Sequence, residues 1–262
     1  MNLALSATSF DSSTLFEMAD ESHDLPTPPW QRVPERGGSR RRDPLTREAI
    51  VAAAMRVLDR DGLDGFSMRR VGEELNTGAA SLYWHVGSKD GLLDLILEEV
   101  IGEQVADIPE PDPDRWQEQI KEVSRTMRRT ILRHRDVVEI SIGRIPMGPN
   151  ALRLSEGVIG ILRAGGVPDE LAVQSFLLLI SAVNGFTMDE TGYDQGAPPS
   201  APPDDQAPEM VRDYLETLPP GEFPNMTEVA GAFAMGDQDE RFELLIDLFV
   251  EGLARRADEQ RS

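Results

Sequence analysis

Several ingredients of common protein chemistry are absent from this chain or rare in it. It contains no cysteine, which excludes disulfides, thiolate catalysis and cysteine-based zinc sites, and fits a cytoplasmic protein. Tryptophan, tyrosine and histidine occur only three times each. No run approaches the ~20 consecutive apolar residues that span a bilayer, and the N-terminus lacks the pattern of a signal peptide. We therefore expect a cytoplasmic protein with no membrane contact.

Positive charge is also scarce, since the net charge of the 262 residues is −21. The imbalance is uneven along the chain. Residues 36–89 carry ten Lys and Arg against seven acidic residues, whereas residues 1–35 are net −5 and residues 90–262 are net −19. Because acidic protein repels phosphate, contact with DNA is expected only through residues 36–89.

Apolar residues at helical spacing follow one another through most of the chain, and no strand pattern is evident. We expect an all-α fold, with a three-helix helix-turn-helix DNA-binding domain at 44–90 and a larger helical domain at 91–262. Residues 1–43 are predicted to be a disordered arm. Its closing Arg40–Arg42 is either a solvated linker or a phosphate or minor-groove contact. The Pro-, Gly- and Asp-rich stretch 189–208 is predicted to be a mobile loop.

The segment "AASLYWHV", residues 79–86, is predicted to be the second, DNA-reading helix of the helix-turn-helix. Ser67 and Ser88 are expected to cap the helices on either side of it. Leu82 and Val86 are four residues apart, so both can pack on the preceding helix. The remaining residues of the segment then point outward, toward a DNA groove.

The outward side chains suit contact with a duplex. The Ser81 hydroxyl and the alanine methyl groups can meet base edges, while Tyr83 and His85 can hydrogen-bond phosphates. Trp84 either donates its indole N–H to a phosphate or packs against a neighbouring helix. Lys89, at a helix start, suits a phosphate. The predicted DNA-contacting residues are Arg69, Ala79, Ala80, Ser81, Tyr83, Trp84, His85 and Lys89.

Two segments of the second domain, "LAVQSFLLLISAVNGF" and "FELLIDLFVEGLA", are apolar nearly all round. Helices of this kind need apolar cover on every side. A second copy of the chain is expected to supply part of it, the alternative being burial within one subunit.

Catalysis is not indicated by any motif. The histidines are His23 in the arm, His85 on the DNA-reading helix and His134 at a helix end, so no nucleophile, base and acid are brought together. His134 is expected to lie at the surface or at a pocket edge. No phosphate-binding loop, dinucleotide fingerprint or metal motif occurs, and no enzyme activity, metal or cofactor is predicted.

The stretch "GFSMRRVGEELNTGAASLYWHVGSKDGLLDLILEEV" resembles the DNA-binding domain of TetR-family transcriptional repressors. "SLYWHV" followed by Lys resembles the tetracycline-repressor branch of that family. The resemblance implies an all-helical homodimer whose last two long helices form a four-helix interface, a ligand cavity in each regulatory domain, and DNA contacts from the residues named above. Ala79 and Ala80 depart from the branch, so its operator sequence is not carried over. The helix 89–107 is expected to link the two domains.

The tetracycline repressor binds a drug–magnesium chelate through His, Asn and Phe side chains. The corresponding positions here include Val105, Pro146 and Gly185, which cannot ligate magnesium. A more apolar effector is therefore expected instead of tetracycline–magnesium. Arg144 and Asn184 could orient it, and the alternative for each apolar position is ordinary core packing. The candidate ligand-binding residues are Val105, Trp116, Val123, Met127, Arg144, Met147, Asn184 and Phe186.

These patterns together predict a transcriptional repressor. A homodimer binds a palindromic operator through residues 79–86 and releases it when a small molecule binds the regulatory domain. The alternative is a helical, dimeric interaction or ligand-binding module without sequence-specific DNA binding.

Overall fold

The computed structural model consists of helices joined by turns and irregular segments, without a strand, over the residues it describes, which are 45–134, 136–196, 207–234 and 237–261. The predicted arm and Arg40–Arg42 lie outside these ranges. The all-α expectation is confirmed. In chain order the helices are α1 (Arg47–Gly65), α2 (Met68–Glu74), α3 (Ala79–Val86), α4 (Lys89–Val105), α5 (Trp116–Arg133), α6 (Val137–Ser141), α7 (Pro149–Ala164), α8 (Asp169–Gly196), α9 (Ala207–Glu216), α10 (Pro224–Glu228), a 3₁₀ helix (Ala230–Ala234) and α11 (Gln238–Arg261).

Side-chain caps define the helices of the N-terminal domain. The hydroxyl of Ser67 accepts a hydrogen bond from Arg70 N, and that of Ser88 accepts one from Gly91 N at 2.9 Å, as the sequence predicts. Gly62 lies within α1 at φ 69°, so α1 kinks at the "DRDG" where the sequence suggests a helix end. A positive φ costs glycine little, which is why the kink falls there.

The N-terminal domain packs around one side of each of its helices. Val57 of α1, Val71 of α2 and Leu82 of α3 are fully buried, and α4 adds Leu92 and Ile96 to the same core. The burial of Leu82 and Val86 fixes which side of α3 is left outside.

In the larger domain, α4 and α8 each pack on α5 and α7, and α11 packs on α5 and α8. The α4–α7 contact is close. The carboxylate of Glu98 accepts a hydrogen bond from Asn150 N, and the Asn150 amide donates to Glu98 O at 3.1 Å. A Cβ on Gly148 would overlap Glu98, and one on Gly102 would lie 2.6 Å from Asn150 Nδ2. Because neither glycine can carry a side chain without displacing its neighbour, α7 is fixed against α4.

The helix α8 continues to Gly196, so the predicted loop 189–208 is wrong for residues 189–196; α9 begins at Ala207, and 197–206 lie outside the described residues. The helix is stabilised there because Arg128 of α5 donates two hydrogen bonds to Glu190, at 2.9 and 2.6 Å. Turn-forming composition alone does not reveal such a partner.

One face formed by α8 and α11 is apolar and exposed. Leu177 and Leu178 on α8, and Leu244 and Leu248 on α11, each expose more than half of their surface. In the single chain, burial within one subunit therefore does not cover these helices. Exposed apolar side chains on two helices that pack on each other are typical of a protein interface.

The sequence expectation that no stretch could span a bilayer is wrong for one helix. By length and composition, Asp169–Thr191 of α8 qualifies, and a third of its most apolar stretch is buried. Single polar residues such as Ser175 and Asn184 interrupt the apolar run without adding charge. The helix is therefore apolar on average although it contains no unbroken apolar run of that length. A single helix of this kind is weak evidence for a membrane span, because core helices of soluble proteins also qualify.

We expect Gly165→Ala to destabilise the protein, by roughly 1–3 kcal/mol, because its Cβ would overlap the indole ring of Trp116. Gly160→Ala, on the same helix, is the matched control. Its Cβ would meet only Pro111 Cγ at 3.6 Å, and replacing a helical glycine by alanine should stabilise by about 0.5–1 kcal/mol. Urea unfolding of both variants measures the difference. Equal free energies of unfolding would contradict the packing of Trp116 on the end of α7.

Candidate nucleic-acid interface and its link to the regulatory domain

The outward side of α3 carries large side chains that nothing in the described chain covers. Tyr83 is 47% exposed and Trp84 is 72% exposed. Ala80, Ser81 and His85 are also exposed, and Ala79 is half-buried. Of the two alternatives for Trp84, packing against a neighbouring helix is not what the structure shows. Bulky aromatic groups held in water on a short helix are available for contact with another molecule.

Cations flank this side of α3. Lys89 is exposed in the first turn of α4, with its Nζ 5.5 Å from the centre of the Phe66 ring. Arg69 is exposed on α2 and pairs with Glu73 at 2.9 Å, one turn along the same helix. A surface pair of this kind is weak, so Arg69 can exchange Glu73 for a phosphate.

Other arginines of this domain are held by its own carboxylates. Arg56 and Arg60 of α1 both pair with Glu74, at 3.0 and 2.9 Å, and Arg70 of α2 pairs with Asp61 at 2.8 Å. The hydrogen bonds that Arg60 donates to Asp61 and to Glu74 lower the pKa of both carboxyl groups, and those from Arg70 to Asp61 and from Arg56 to Glu74 add to the effect. The network ties α1 to α2. Among the described residues of this domain, the network does not engage Arg47, Arg69 or Lys89, and the last two lie beside α3.

The two domains meet where α1 contacts the α5–α6 junction. Leu63 N donates a hydrogen bond to Asp136 Oδ2 at 2.6 Å. Asp136 has φ 60°, the left-handed conformation, which Asp tolerates better than most residues. Sequence reasoning missed this contact. An Asp shortly after a predicted helix end is the signal that could have indicated it.

His134 ends α5 at the same junction. Its Nε2 lies 3.0 Å from Glu103 Oε1 of α4, and its Nδ1 lies 3.7 Å from Asp59 Oδ1 of α1. The side chain is only 14% exposed. Two carboxylates from different helices enclose the ring between the domains, so it is not freely exposed at the surface, and its expected place at a pocket edge stays a prediction.

Two family models match the chain. The first, described as "Bacterial regulatory proteins, tetR family", matches residues 50–96, and the second, "Tetracyclin repressor-like, C-terminal domain", matches 108–257, more than half of the sequence. The chain belongs to the TetR family. The resemblance inferred from the sequence is confirmed, and α3 lies within the residues that the first model matches.

Individual relatives agree with this placement. A curated "HTH-type transcriptional regulator" from Saccharopolyspora erythraea is 41% identical over 128 residues, 49% of this chain and 53% of that protein. The chain spans about half the length of such curated relatives. The crystal structure of apo ActR from Streptomyces coelicolor is 40% identical with a TM-score of 0.75, covering 84% of this chain and all of that one. ActR in complex with actinorhodin is 41% identical, with a TM-score of 0.73 and coverage of 82% and 99%.

Five of the candidate ligand-binding residues belong to one hydrophobic core, in which Trp116, Val123 and Met127 are buried while Val105 and Phe186 pack against it. Arg144 pairs with Asp94 at 2.6 Å and with Asp90 at 3.0 Å, so it lies against the first turns of α4 and not in a core. Phe186 makes an edge contact with Phe242 of α11, with ring centres 5.2 Å apart. Trp116 packs on Gly165. Val123 and Met127 are buried on α5, whereas Val105, Met147 and Asn184 are half-buried. The structure does not bring all eight together, and their ligand role stays a prediction.

We expect Leu82→Ala to lower the free energy of unfolding by about 2–5 kcal/mol, because it leaves a cavity in the core of the N-terminal domain. Trp84→Ala, two residues further on, should change it by less than about 0.5 kcal/mol, because the ring is exposed. Denaturant unfolding measures both. A large loss of stability in Trp84→Ala would mean that the ring is packed within the protein.

Proposed function

We propose that the chain is a ligand-responsive repressor that binds a palindromic operator as a homodimer. The observation that carries the proposal is the division of α3, with Leu82 and Val86 buried while Tyr83, Trp84 and His85 are exposed beside Lys89. Each copy places one α3 in the major groove, and a two-fold dimer reads half-sites about 34 Å apart. As a DNA-binding regulator without enzyme activity, it acts in the cytoplasm.

The apolar face of α8 and α11 is the proposed dimer interface. A second copy placed against it would cover the exposed leucines in a four-helix arrangement. This isologous contact has two-fold symmetry, as a palindromic site requires. The same cover accounts for the hydropathy of α8 without a membrane.

The proposed effector is an organic molecule of the kind that the ActR structures contain, which are actinorhodin and (S)-DNPA. Tetracycline–magnesium is not proposed. Val105, Pro146 and Gly185 offer no metal-binding atoms in their side chains, and the described residues contain no cluster of three His, Cys, Asp or Glu suited to a metal ion.

Release of DNA is proposed to run through α4. This helix begins beside α3, packs on α7, and is held to the segment after α6 by Arg144. A ligand that shifts α6 and α7 would move Arg144 away from Asp90 and Asp94. Two uncompensated carboxylates would then stand next to Lys89, at the end of α4 that approaches phosphates. A coupling free energy of ~1–3 kcal/mol suffices for a 5–150-fold change in affinity.

The DNA-binding proposal predicts different effects for residues of α3 and for Lys89 at the start of α4. Tyr83→Ala and Lys89→Ala should weaken binding to all duplexes, because they remove phosphate contacts, and Lys89→Ala should also reduce the salt dependence. Ser81→Ala should change the preferred sequence instead. Selection from random duplexes, followed by fluorescence anisotropy at several salt concentrations, measures these effects. Tyr214→Ala, an exposed tyrosine of α9, is the control. Unchanged binding in all three test variants would favour the alternative of a module without DNA binding.

The coupling proposal predicts that Arg144→Ala weakens the response to an effector. The concentration of actinorhodin that releases half of the bound operator should rise several-fold, because a shift of the segment after α6 is then no longer transmitted to α4. Arg163→Ala removes a comparable pair, with Asp169 at 2.8 Å, at the far end of α7, and should leave the response unchanged. Competition anisotropy measures both. Equal responses in the two variants would contradict the role of Arg144.

A further inference from the structure

The inward side of α4 is apolar until its last turn. Leu93, Leu97, Val100 and Ile101 are all buried there, and Gln104 continues the same stripe, three residues after Ile101 and four after Val100. Gln104 is only 5% exposed. An amide therefore occupies a position at which the pattern of the helix calls for another aliphatic side chain.

The amide of Gln104 donates and accepts no hydrogen bond within the part of the chain that the structure describes. The oxygen and nitrogen of this amide are not among the side-chain atoms that are both fully enclosed and without a hydrogen-bond partner. A small opening therefore still connects the amide with solvent. Because the amide is reachable and forms no hydrogen bond within the described chain, it is available to a molecule that enters the opening.

Other buried polar side chains nearby have their partners. Gln119 of α5, which is 3% exposed, donates to Glu110 O at 2.6 Å and accepts from Asp112 N at 2.9 Å. Ser124 donates to Ile120 O at 2.7 Å. Ser175 of α8 is buried like Gln104 and likewise has no hydrogen bond within the described residues. The two unsatisfied groups thus lie on α4 and α8, the helices that flank α5 and α7.

We propose that Gln104 is a recognition group for the effector, and this rests on the proposed function. Ser175 of α8 is included in the same proposal, because α4 and α8 both pack on α5. The helix α5 contributes buried apolar side chains, including Val123 and Met127. A site of this composition selects a molecule with an apolar body and neutral carbonyl or hydroxyl groups, because a carboxamide both donates and accepts hydrogen bonds without carrying a charge.

Gln104→Met tests the proposal, with Gln119→Met as the matched control. The substitution keeps the volume and removes the amide. Gln119→Met should lower the Tm by several degrees, because it leaves Glu110 O and Asp112 N without their partner. Gln104→Met should leave the Tm unchanged or raise it, because nothing in the unliganded protein depends on its amide. A fall in Tm equal to that of Gln119→Met would show a structural role and overturn the proposal.

Ligand binding gives the second readout. Actinorhodin, 2-naphthamide and 2-acetylnaphthalene carry oxygen groups, and 2-ethylnaphthalene is the hydrocarbon that lacks the carbonyl oxygen of the last. Thermal shifts of the wild type by the oxygenated probes should fall in Gln104→Met, with at least a tenfold loss of affinity, while 2-ethylnaphthalene keeps its shift or gains. Ser175→Ala should act in the same direction.

Identical shifts in the wild type and Gln104→Met for every probe, including no shift at all, would overturn the proposal. Operator binding by both proteins without probe is measured in parallel. Gln104→Met should retain it, so loss of the ligand response with intact DNA binding is distinct from a failure of the repressor function itself.

Discussion

The attachment of α4 at both of its ends is the constraint on which the rest of the structure depends. Near its start, α4 contributes Leu92 and Ile96 to the core that holds α3. Further along, the carboxylate of Glu98 occupies the N-terminus of α7, where no side chain of α7 itself caps the helix. Burial raises the pKa of Glu98, although the backbone N–H groups of Asn150 and Ala151 oppose the shift. One helix is thus part of two cores, and neither domain can shift far without moving the other.

Charge complements this arrangement. Most of the acidic residues lie outside the N-terminal domain, and many are engaged by arginines within the larger one, as in the pairing of Arg125 with Glu243. These pairs join helices that are distant in sequence. The surplus of negative charge that remains repels DNA, so the small cationic region around α3 sets the orientation in which a duplex can approach.

The sequence predicted those features that local patterns determine. Helix caps at Ser67 and Ser88, the burial of Leu82 and the limits of the helix-turn-helix all follow from residues a few positions apart. The extension of α8 through residues 189–196 did not, because it depends on Arg128, 62 residues earlier than Glu190. The junction of Asp136 with Leu63 and the enclosure of His134 were missed for the same reason. Periodicity identifies which face of a helix is buried, but it does not identify what lies against that face.

The exposed leucines of α8 and α11 also affect how the occupancy of the operator depends on the cellular concentration of the protein. A lone copy leaves Leu177 and Leu248 in water and offers a palindrome only one α3, which engages half of the site. In the proposed dimer, the concentration of molecules that carry two α3 helices rises with the square of the concentration of free chain when expression is low. Halving the gene dosage would therefore lower the occupancy of the operator more than twofold as long as dimerisation is incomplete. The stability of the contact between the apolar faces of α8 and α11 sets the chain concentration at which dimerisation becomes complete.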